Sequence, residues 1–381
     1  MTTGSGSDPV IPQDLLPGDG RFGCGPSKVP GLAVQRLVDT GTGLLGTSHR
    51  QAPVRNLVGR IREGLAELFQ IPDGYEVVLG NGGATCFWDV AAFSLIARRS
   101  QHLVFGEFSS KFAQEVTKAS HLGSPEVIET APGTHPDPRP SPDVDCYCMT
   151  HNETSTGVMM PIERLGTKDQ LVLVDATSAA GGIEVDISAA DAYYFSPQKA
   201  FASEGGLWVA ILSPAAQERA KTLCSSERWV PGFFDLAAAL DNSRLDQTVN
   251  TPSVATLFLL AEQVHWMLDH GGLSWAAGRS RRSAEQVYAW AEAASFASPF
   301  VSRPEDRSPV VATVDLDPDV SAAEVSRVLR RNGIVDTDSY RKLGRNQLRL
   351  GLFPAVDPED VRQLTAAITW VVDHLRHDDA N

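Results

Sequence analysis

The chain alternates between short apolar runs and longer segments in which apolar residues recur at helical spacing. An amphipathic helix is predicted from about residue 54 to 69, where the apolar positions three or four apart are Leu57, Val58, Ile61, Leu65 and Leu68. The run at 75–80 that follows is short and ends in glycine, so it predicts a strand. A second helix is expected from about Thr85 onward.

The same alternation continues to the middle of the chain. Further strands are predicted at 101–105, 144–149, 171–174 and 192–195. Strands that alternate with helices along a chain form a mostly parallel sheet with helices on both faces. The first two thirds of the sequence therefore predict a large α/β domain.

After about Gly271 the pattern changes to an α+β arrangement. The elements predicted there are a long helix through Ala284 and Trp290, a strand at 309–314, a helix at 322–331, a strand at 347–350 and a last amphipathic helix from 357 to about 375. We therefore predict three parts: a disordered or extended tail at 1–20, a large domain at 21–271 and a small C-terminal domain at 272–381.

Charge and composition narrow the class of protein. The formal net charge is −14, with 33 Lys and Arg against 47 Asp and Glu, which argues against nucleic acid or an anionic membrane as a partner. No stretch is apolar enough to span a bilayer, and residues 1–8 do not look like a secretion signal. An anionic substrate would need a local cluster of basic residues.

Cysteine and histidine spacing predict neither a disulfide framework nor a metal site. The five cysteines include no C-x-x-C pair, and the nine histidines include no H-x-x-x-H or H-E-x-x-H pattern. Reduced thiols and a cytoplasmic location are the simplest interpretation. A P-loop is also disfavoured, because no Gly-Lys-Ser/Thr run follows the glycines at 80–83.

One lysine is the strongest candidate for chemistry. Lys199 follows the apolar run that ends at Phe195, and Glu204, Gly205 and Gly206 come soon after it. A free lysine has a pKa of about 10.4, and it becomes a nucleophile only when burial or a neighbouring cation lowers that value. Taken alone, such a lysine is more often one whose amine extends from a strand end to solvent.

An aspartate upstream favours the chemical interpretation. Asp175 ends four consecutive apolar residues, and a buried carboxylate needs a cationic partner. The protonated ring nitrogen of pyridoxal phosphate is such a partner, and its sites combine this aspartate with a Schiff-base lysine. The turn at 80–85 adds glycines and a helix start suited to a phosphate. Phe108, which follows another strand, could stack on a flat ring.

Several motifs then carry a resemblance to a known family. The sequence resembles the class V aminotransferase group of the fold-type I pyridoxal-phosphate enzymes, from about Arg21 to the C-terminus. The matching motifs, in the family's order, are Phe22-Gly23-Cys24-Gly25-Pro26-Ser27 with Pro30, Ser48-His49-Arg50, Gly82-Gly83-Ala84, His151-Asn152-Glu153-Thr154, Asp175-Ala176-Thr177-Ser178, Ser196-Pro197-Gln198-Lys199 and Asn250-Thr251-Pro252.

The resemblance implies a role for each cofactor-site residue. Lys199 would bind pyridoxal 5'-phosphate as a Schiff base, Asp175 would pair with the ring nitrogen, and Thr154 would lie near the ring hydroxyl. Phe108 would stack on the ring, where family members often carry tryptophan. The remaining residues implied to bind the cofactor phosphate are Ala84 and Thr85 through their backbone, Gln198, and Asn250 and Thr251 of a second subunit. The last two imply a homodimer with a shared active site.

The resemblance also implies an activity, which is amino transfer between L-glutamate and 3-phosphohydroxypyruvate in L-serine biosynthesis. Both substrates carry two anionic groups, and the planar fork of arginine suits carboxylate and phosphate. Arg349 resembles the family's α-carboxylate arginine, while His49 and Arg50 resemble its distal anion pair. The local pattern is altered at Arg341, Lys342 and Arg345, whose roles stay open, as does use of the phosphorylated four-carbon analogue of pyridoxine synthesis.

Three alternatives remain beside this activity. The nearest is another class V transaminase, of the alanine–glyoxylate or serine–pyruvate type. A cysteine desulfurase is less favoured, because it needs a cysteine in the C-terminal third and the last one here is Cys224. The third is a cofactor-holding or regulatory protein without turnover.

Overall fold

The computed structural model describes residues 9–378, so residues 1–8 of the predicted tail lie outside the described part. The helices are α1 (Gly31–Asp39), α2 (Ala52–Leu68), α3 (Gly83–Ser94), α4 (Glu107–Lys118), α5 (Pro214–Cys224), α6 (Leu236–Arg244), α7 (Val254–Asp269), α8 (Gly272–Ala293), α9 (Ala322–Arg331) and α10 (Pro358–Asp378). None of them is long and apolar enough to cross a membrane.

The strands form one large sheet and two small ones. They are β1 (Glu76–Asn81), β2 (Ser100–Val104), β3 (Glu126–Glu129), β4 (Cys146–Thr150), β5 (Asn152–Glu153), β6 (Val158–Met159), β7 (Leu171–Asp175), β8 (Ala192–Phe195), β9 (Leu207–Leu212), β10 (Ala297–Pro299), β11 (Val311–Leu316) and β12 (Gln347–Gly351). The predicted strands are present, whereas β3, β5, β6, β9 and β10 were not predicted.

The central sheet has the order β1-β9-β8-β7-β4-β2-β3. Strand β9 runs antiparallel to both of its neighbours, β1 and β8, and the other pairs are parallel. This confirms the mostly parallel α/β sheet. The carboxyl ends of β2, β4, β7 and β8 therefore meet at one edge, which is where ligands bind in sheets of this kind.

Both faces of this sheet are buried. On β7, Val172 and Val174 belong to one apolar cluster, while Leu171 and Leu173 belong to another on the opposite face. Successive strand residues point to opposite faces, so a strand buried on both sides needs a continuous apolar run. The first cluster packs against α2 and α7, and the second against α3, α5 and α6.

The C-terminal part has its own sheet and its own core. Strands β10, β11 and β12 form an antiparallel sheet, and a third apolar cluster joins it to α8, α9 and α10. Helix α8 spans the two parts, since Ala276 belongs to the first core and Val287 to the third. The predicted boundary between 271 and 272 coincides with the start of α8, and the division into domains stays a prediction.

Residues 9–20, assigned to the tail, lie against this C-terminal part. Ile11 is buried in the third cluster, and its amide donates to Asn332 Oδ1 at 3.0 Å. The amide of Gly18 donates to Asp360 Oδ1 at 2.8 Å. This described section contains a short 3-10 helix at Gln13–Leu15 and is anchored to the C-terminal part.

Candidate active site

A cavity of about 380 Å³ opens at the edge where the parallel strands end. It collects eight of the residues that the sequence singled out, although they are far apart along the chain. These lining residues are Ala84, Thr85, Phe108, Thr154, Asp175, Gln198, Lys199 and Arg349. The cavity also contains residues that were not predicted, among them Trp88 and Tyr340.

Lys199 lies inside the protein at this cavity. Its side chain follows β8 after a short turn, and the residue is only 6% exposed. Nζ donates to Thr154 Oγ1 at 2.7 Å. Burial lowers the pKa of Lys199 to about 8, against the opposing effect of Asp175. The amine is therefore partly neutral near physiological pH, as a nucleophile requires.

The backbone at Gly25 closes against this lysine. A Cβ at Gly25 would lie 2.7 Å from Lys199 Cε, and the φ angle of +139° also excludes most side chains. Ser27 adds a second contact, because its hydroxyl donates to the Lys199 carbonyl at 2.6 Å. The motif at 22–27 thus holds the lysine from the N-terminal side.

Asp175 is a buried carboxylate held by neutral donors. Oδ2 accepts a hydrogen bond from Trp88 Nε1 at 3.0 Å, and Oδ1 accepts from Thr177 N at 3.0 Å and Oγ1 at 2.6 Å. No lysine, arginine or histidine among residues 9–378 forms an ion pair with it. A buried carboxylate without a protein cation suits a cationic ring nitrogen placed in the cavity.

The start of α3 is suited to bind an anion. Gly82 precedes the helix with φ of +115° and provides no side-chain cap for the first-turn amides. The N–H groups of Ala84 and Thr85 belong to the first turn of α3, where backbone N–H groups have no partner within the helix. Both residues line the cavity, and a helix N-terminus of this kind favours a phosphate. Gln198 lines the same cavity. These residues fit the phosphate of pyridoxal phosphate.

Phe108 and Tyr340 form an aromatic wall. The Lys199 Nζ atom lies 5.3 Å from the Phe108 ring centroid, and the Tyr340 ring lies 6.1 Å from Phe108. The Phe108 ring is thus close enough to contact a flat group bound at Lys199. Tyr340 comes from the C-terminal part of the chain, so both parts contribute to this wall.

Arg349, in strand β12, places its guanidinium group at the cavity. Its guanidinium lies 5.1 Å from the Tyr340 ring centroid, and Nη1 donates to the Thr154 carbonyl at 3.2 Å. The Nε atom is buried and has no hydrogen-bond partner among the described residues. This arginine therefore keeps a donor for a bound carboxylate.

The neighbouring basic residues differ in their engagement. Lys342 pairs with Glu107 at the start of α4, and Arg345 pairs with Asp315. Arg341 is exposed and forms no ion pair with the residues the structure describes. Among these three residues, whose roles the sequence left open, Arg341 is therefore the one whose positive charge is not neutralised by an ion pair with a described residue.

Four predicted residues do not line the cavity. His49 and Thr251 contact each other, with 3.2 Å between Nδ1 and Oγ1, and Arg50 donates to Gln247 Oε1 at 3.1 Å. Asn250 belongs to the same segment as Thr251. We call His49, Arg50, Asn250 and Thr251 the distal cluster.

The distal cluster lies beside the phosphate cradle of its own chain. Asn81, one residue before Gly82, donates to the Thr251 carbonyl at 3.0 Å. Burial lowers the pKa of His49, and repulsion from the Arg50 charge lowers it further, as the smaller effect. Arg50 is exposed, so its charge is available to a ligand outside this chain.

Two lining residues escaped the sequence analysis for different reasons. Trp88 occupies an apolar position of α3 and is 2% exposed, which is typical of a core residue. Tyr340 stands in a polar loop with no periodic pattern. A tryptophan one helical turn after a glycine-rich cradle is the one signal that could have pointed to the first of them.

Comparison with known proteins agrees with this geometry. The aminotransferase class-V family matches residues 24–338. A phosphoserine aminotransferase from a Nocardioides species is 58% identical over 368 residues, covering 96% of this chain and 98% of the relative. One from Rhodococcus opacus is 55% identical over 370 residues, covering 97% and 99%.

A solved structure shares the fold. The phosphoserine aminotransferase from Cytophaga hutchinsonii superimposes with a TM-score of 0.86 at 25% identity, covering 92% of this chain and 99% of that one. The family match extends over most of the chain, and the relatives are similar along nearly their whole length. This chain belongs to the class V aminotransferase family.

Proposed function

We propose that the protein is a pyridoxal-phosphate-dependent aminotransferase that moves an amino group from L-glutamate to 3-phosphohydroxypyruvate. The products are 2-oxoglutarate and 3-phospho-L-serine, a step of L-serine biosynthesis. The observation that carries the proposal is the cavity itself, where Lys199, Asp175 and the start of α3 converge. The names of relatives at 55–58% identity support the choice of substrates.

When bound, pyridoxal phosphate supplies an electron sink for the bond that breaks at the substrate Cα. Lys199 Nζ would accept the Cα proton of the substrate as a general base and later return one. The hydrogen bond from Nζ to Thr154 Oγ1 holds the lysine side chain in place. Asp175 would hold a protonated ring nitrogen, and Trp88 and Thr177 fix the Asp175 carboxylate.

Substrate anions would bind at two places. Arg349 offers its unpartnered Nε and its guanidinium fork to the α-carboxylate. The distal group, a phosphate in one substrate and a carboxylate in the other, would be bound by His49 and Arg50. Since glutamate and the phosphorylated acceptor use the same pocket in turn, the kinetics should be ping-pong.

We further propose a homodimer in which the distal cluster serves the partner's cavity. The support is its position, since none of its four residues lines the cavity of its own chain. Asn250 and Thr251 would reach the partner's cofactor phosphate, and His49 and Arg50 would reach the partner's substrate.

We also propose a cytoplasmic location. The described cysteines are all free, which supports a reducing environment.

A coupled assay tests the choice of acceptor. Purified enzyme with L-glutamate should use 3-phosphohydroxypyruvate far better than pyruvate or glyoxylate, and double-reciprocal plots should give parallel lines. Preference for pyruvate or glyoxylate would favour the alternative, a transaminase of the alanine–glyoxylate or serine–pyruvate type. Intersecting lines would contradict the ping-pong scheme.

A further inference from the structure

Glu153 is a fully buried carboxylate to which the proposed reaction assigns no role. It lies between Asn152 and Thr154, and its exposed fraction is 0%. No lysine, arginine or histidine within residues 9–378 forms an ion pair with it. An ionised carboxylate is held in such a place only when hydrogen-bond donors surround it.

The donors that surround Glu153 come from the start of α4 and from Ser155. Oε2 accepts from Ser109 N at 3.0 Å, from Ser109 Oγ at 2.9 Å and from Phe108 N at 3.2 Å. Oε1 accepts from Ser155 N at 3.2 Å and Oγ at 2.7 Å. The carboxylate thus caps a helix N-terminus, where the helix dipole favours negative charge.

The contact between Glu153 and α4 is too close to tolerate another arrangement. A Cβ at Gly106 would lie 2.3 Å from Glu153 Cγ, so glycine is needed just before the helix. Ser155 Oγ, besides its bond to the carboxylate, accepts from Glu107 N at 3.0 Å. The first residues of α4 are therefore fixed to Glu153 and its neighbour.

Two features connect this cap to the chemistry. Phe108 donates its backbone N–H to the Glu153 carboxylate, and the centroid of its ring lies 5.3 Å from Lys199 Nζ. The next residue in the chain, Thr154, accepts the hydrogen bond from that same Nζ. Glu153 also raises the pKa of Lys199, as a lesser effect against burial.

We propose that Glu153 is a positioning residue of the cofactor site. Its carboxylate fixes the start of α4, and with it the Phe108 ring, and its negative charge favours a proton on the Lys199 nitrogen. The inference rests on the proposed function, since it requires a cofactor bound at Lys199. It extends that function by assigning a role to a residue that does not line the cavity.

The test compares Glu153→Gln with a control on α4, the helix that Glu153 caps, namely Glu115→Gln. Glu115 is more exposed and pairs with Lys118, away from the helix start. In cofactor-loaded enzyme, the pH midpoint of the visible absorption of the lysine-bound cofactor should fall by about one unit in Glu153→Gln. The visible circular dichroism should fall by about half, because Phe108 loses its fixed position. Glu115→Gln should leave both unchanged.

A second variant separates the effect of the Glu153 charge from its role in fixing the start of α4. Ser155→Ala keeps the carboxylate but removes one of its donors and the acceptor for Glu107 N. It should weaken the circular dichroism without lowering the pH midpoint, and it carries the test if Glu153→Gln does not fold. A wild-type midpoint and spectrum in Glu153→Gln, or a lowered midpoint or unchanged spectrum in Ser155→Ala, would overturn the inference.

These readings are independent of substrate choice. Wild-type enzyme that shows the visible band but no turnover of 3-phosphohydroxypyruvate would contradict the proposed function, while the band still tests Glu153. Wild-type protein without any visible band after addition of pyridoxal phosphate would overturn both.

Discussion

The two halves of the proposed site are built in opposite ways. The cofactor half takes its lysine and its aspartate from one chain, and Lys199 and Asp175 are buried and hydrogen-bonded within it. The distal cluster is set outside the cavity, and its arginine is exposed. Chemistry that needs a shifted pKa requires burial, whereas recognition of a phosphate needs only a charge brought to the right place.

Removing the lysine should have the largest effect, and it should be confined to the cofactor half. Lys199→Ala should lower kcat by at least about 10³-fold, because it removes both the covalent anchor and the general base. The measurement is the steady-state rate together with the visible absorption, which should vanish. Lys111→Ala, which changes a half-buried lysine also near Phe108, should retain both the rate and the absorption. A coloured, active Lys199→Ala enzyme would refute the assignment.

Neutralising the aspartate should come next. Asp175→Asn should lower kcat by about 10²-fold, because the ring nitrogen loses the charge that keeps it protonated. Trp88→Phe, which removes one donor to that carboxylate, should have a smaller effect. Single-turnover rates with glutamate measure both variants. Equal losses would show that orientation, and not charge, is the contribution of Asp175.

Mixing two variants with different defects tests whether the distal cluster serves the partner. Arg50→Ala should raise KM for 3-phosphohydroxypyruvate by about 10- to 100-fold through loss of a charge-assisted contact. A hybrid with Lys199→Ala should regain a normal KM, because the lysine of one chain then meets Arg50 of the other. Arg55→Ala, whose side chain donates to the Leu245 carbonyl, is the control and should keep the wild-type KM. An unrescued hybrid would place Arg50 in its own chain's site.

The cofactor half should also show a pH dependence set by the Lys199 amine. Because burial lowers the Lys199 pKa to about 8, the neutral amine becomes more abundant as pH rises through that value. The rate of pyridoxal phosphate addition to cofactor-free protein, followed by stopped-flow absorption, should rise with a midpoint near 8. Asp175 raises this pKa, so Asp175→Asn should move the midpoint lower. A midpoint near that of free lysine would contradict the burial argument.

The smallest effect is expected at the aromatic wall. Phe108→Trp keeps a flat ring beside Lys199 and should change kcat by no more than about threefold. Phe108→Ala should cost more, because the stacking face is lost. Steady-state rates compare the two, and similar losses in both would show that ring shape matters more than stacking.

The sequence predicted the cofactor half because its residues stand at strand ends. Asp175 and Lys199 each follow an apolar run, and such runs can be recognised without knowing the partners of the strand. Trp88 was missed: its place after the glycine-rich turn was the only sequence signal, and the folded arrangement is needed to show that its indole donates to a carboxylate. The distal cluster was named through family resemblance alone, since no hydrophobic pattern in the sequence marks its residues.

The central sheet was predicted less completely at β9 and at β3. Strand β9 is a continuous apolar run whose direction depends on its pairing with β1 and β8, and pairing is not encoded by local periodicity. Strand β3 is short and half-buried at the outer edge, where the pattern is weak. The start of the chain was expected to be a tail, but Ile11 shows that one apolar residue can anchor such a segment.

The pairing of β1 with β9 has a consequence for synthesis on the ribosome. Glu76 pairs with Leu212, so the strand that leads into the phosphate cradle emerges long before its neighbour. Contacts between distant parts of a chain form late, and a strand edge that has not yet paired is prone to aggregation. The nascent chain would therefore carry an open edge at β1 until β9 has been translated, and assembly of the anion-binding turn would be among the last events in folding of the large sheet.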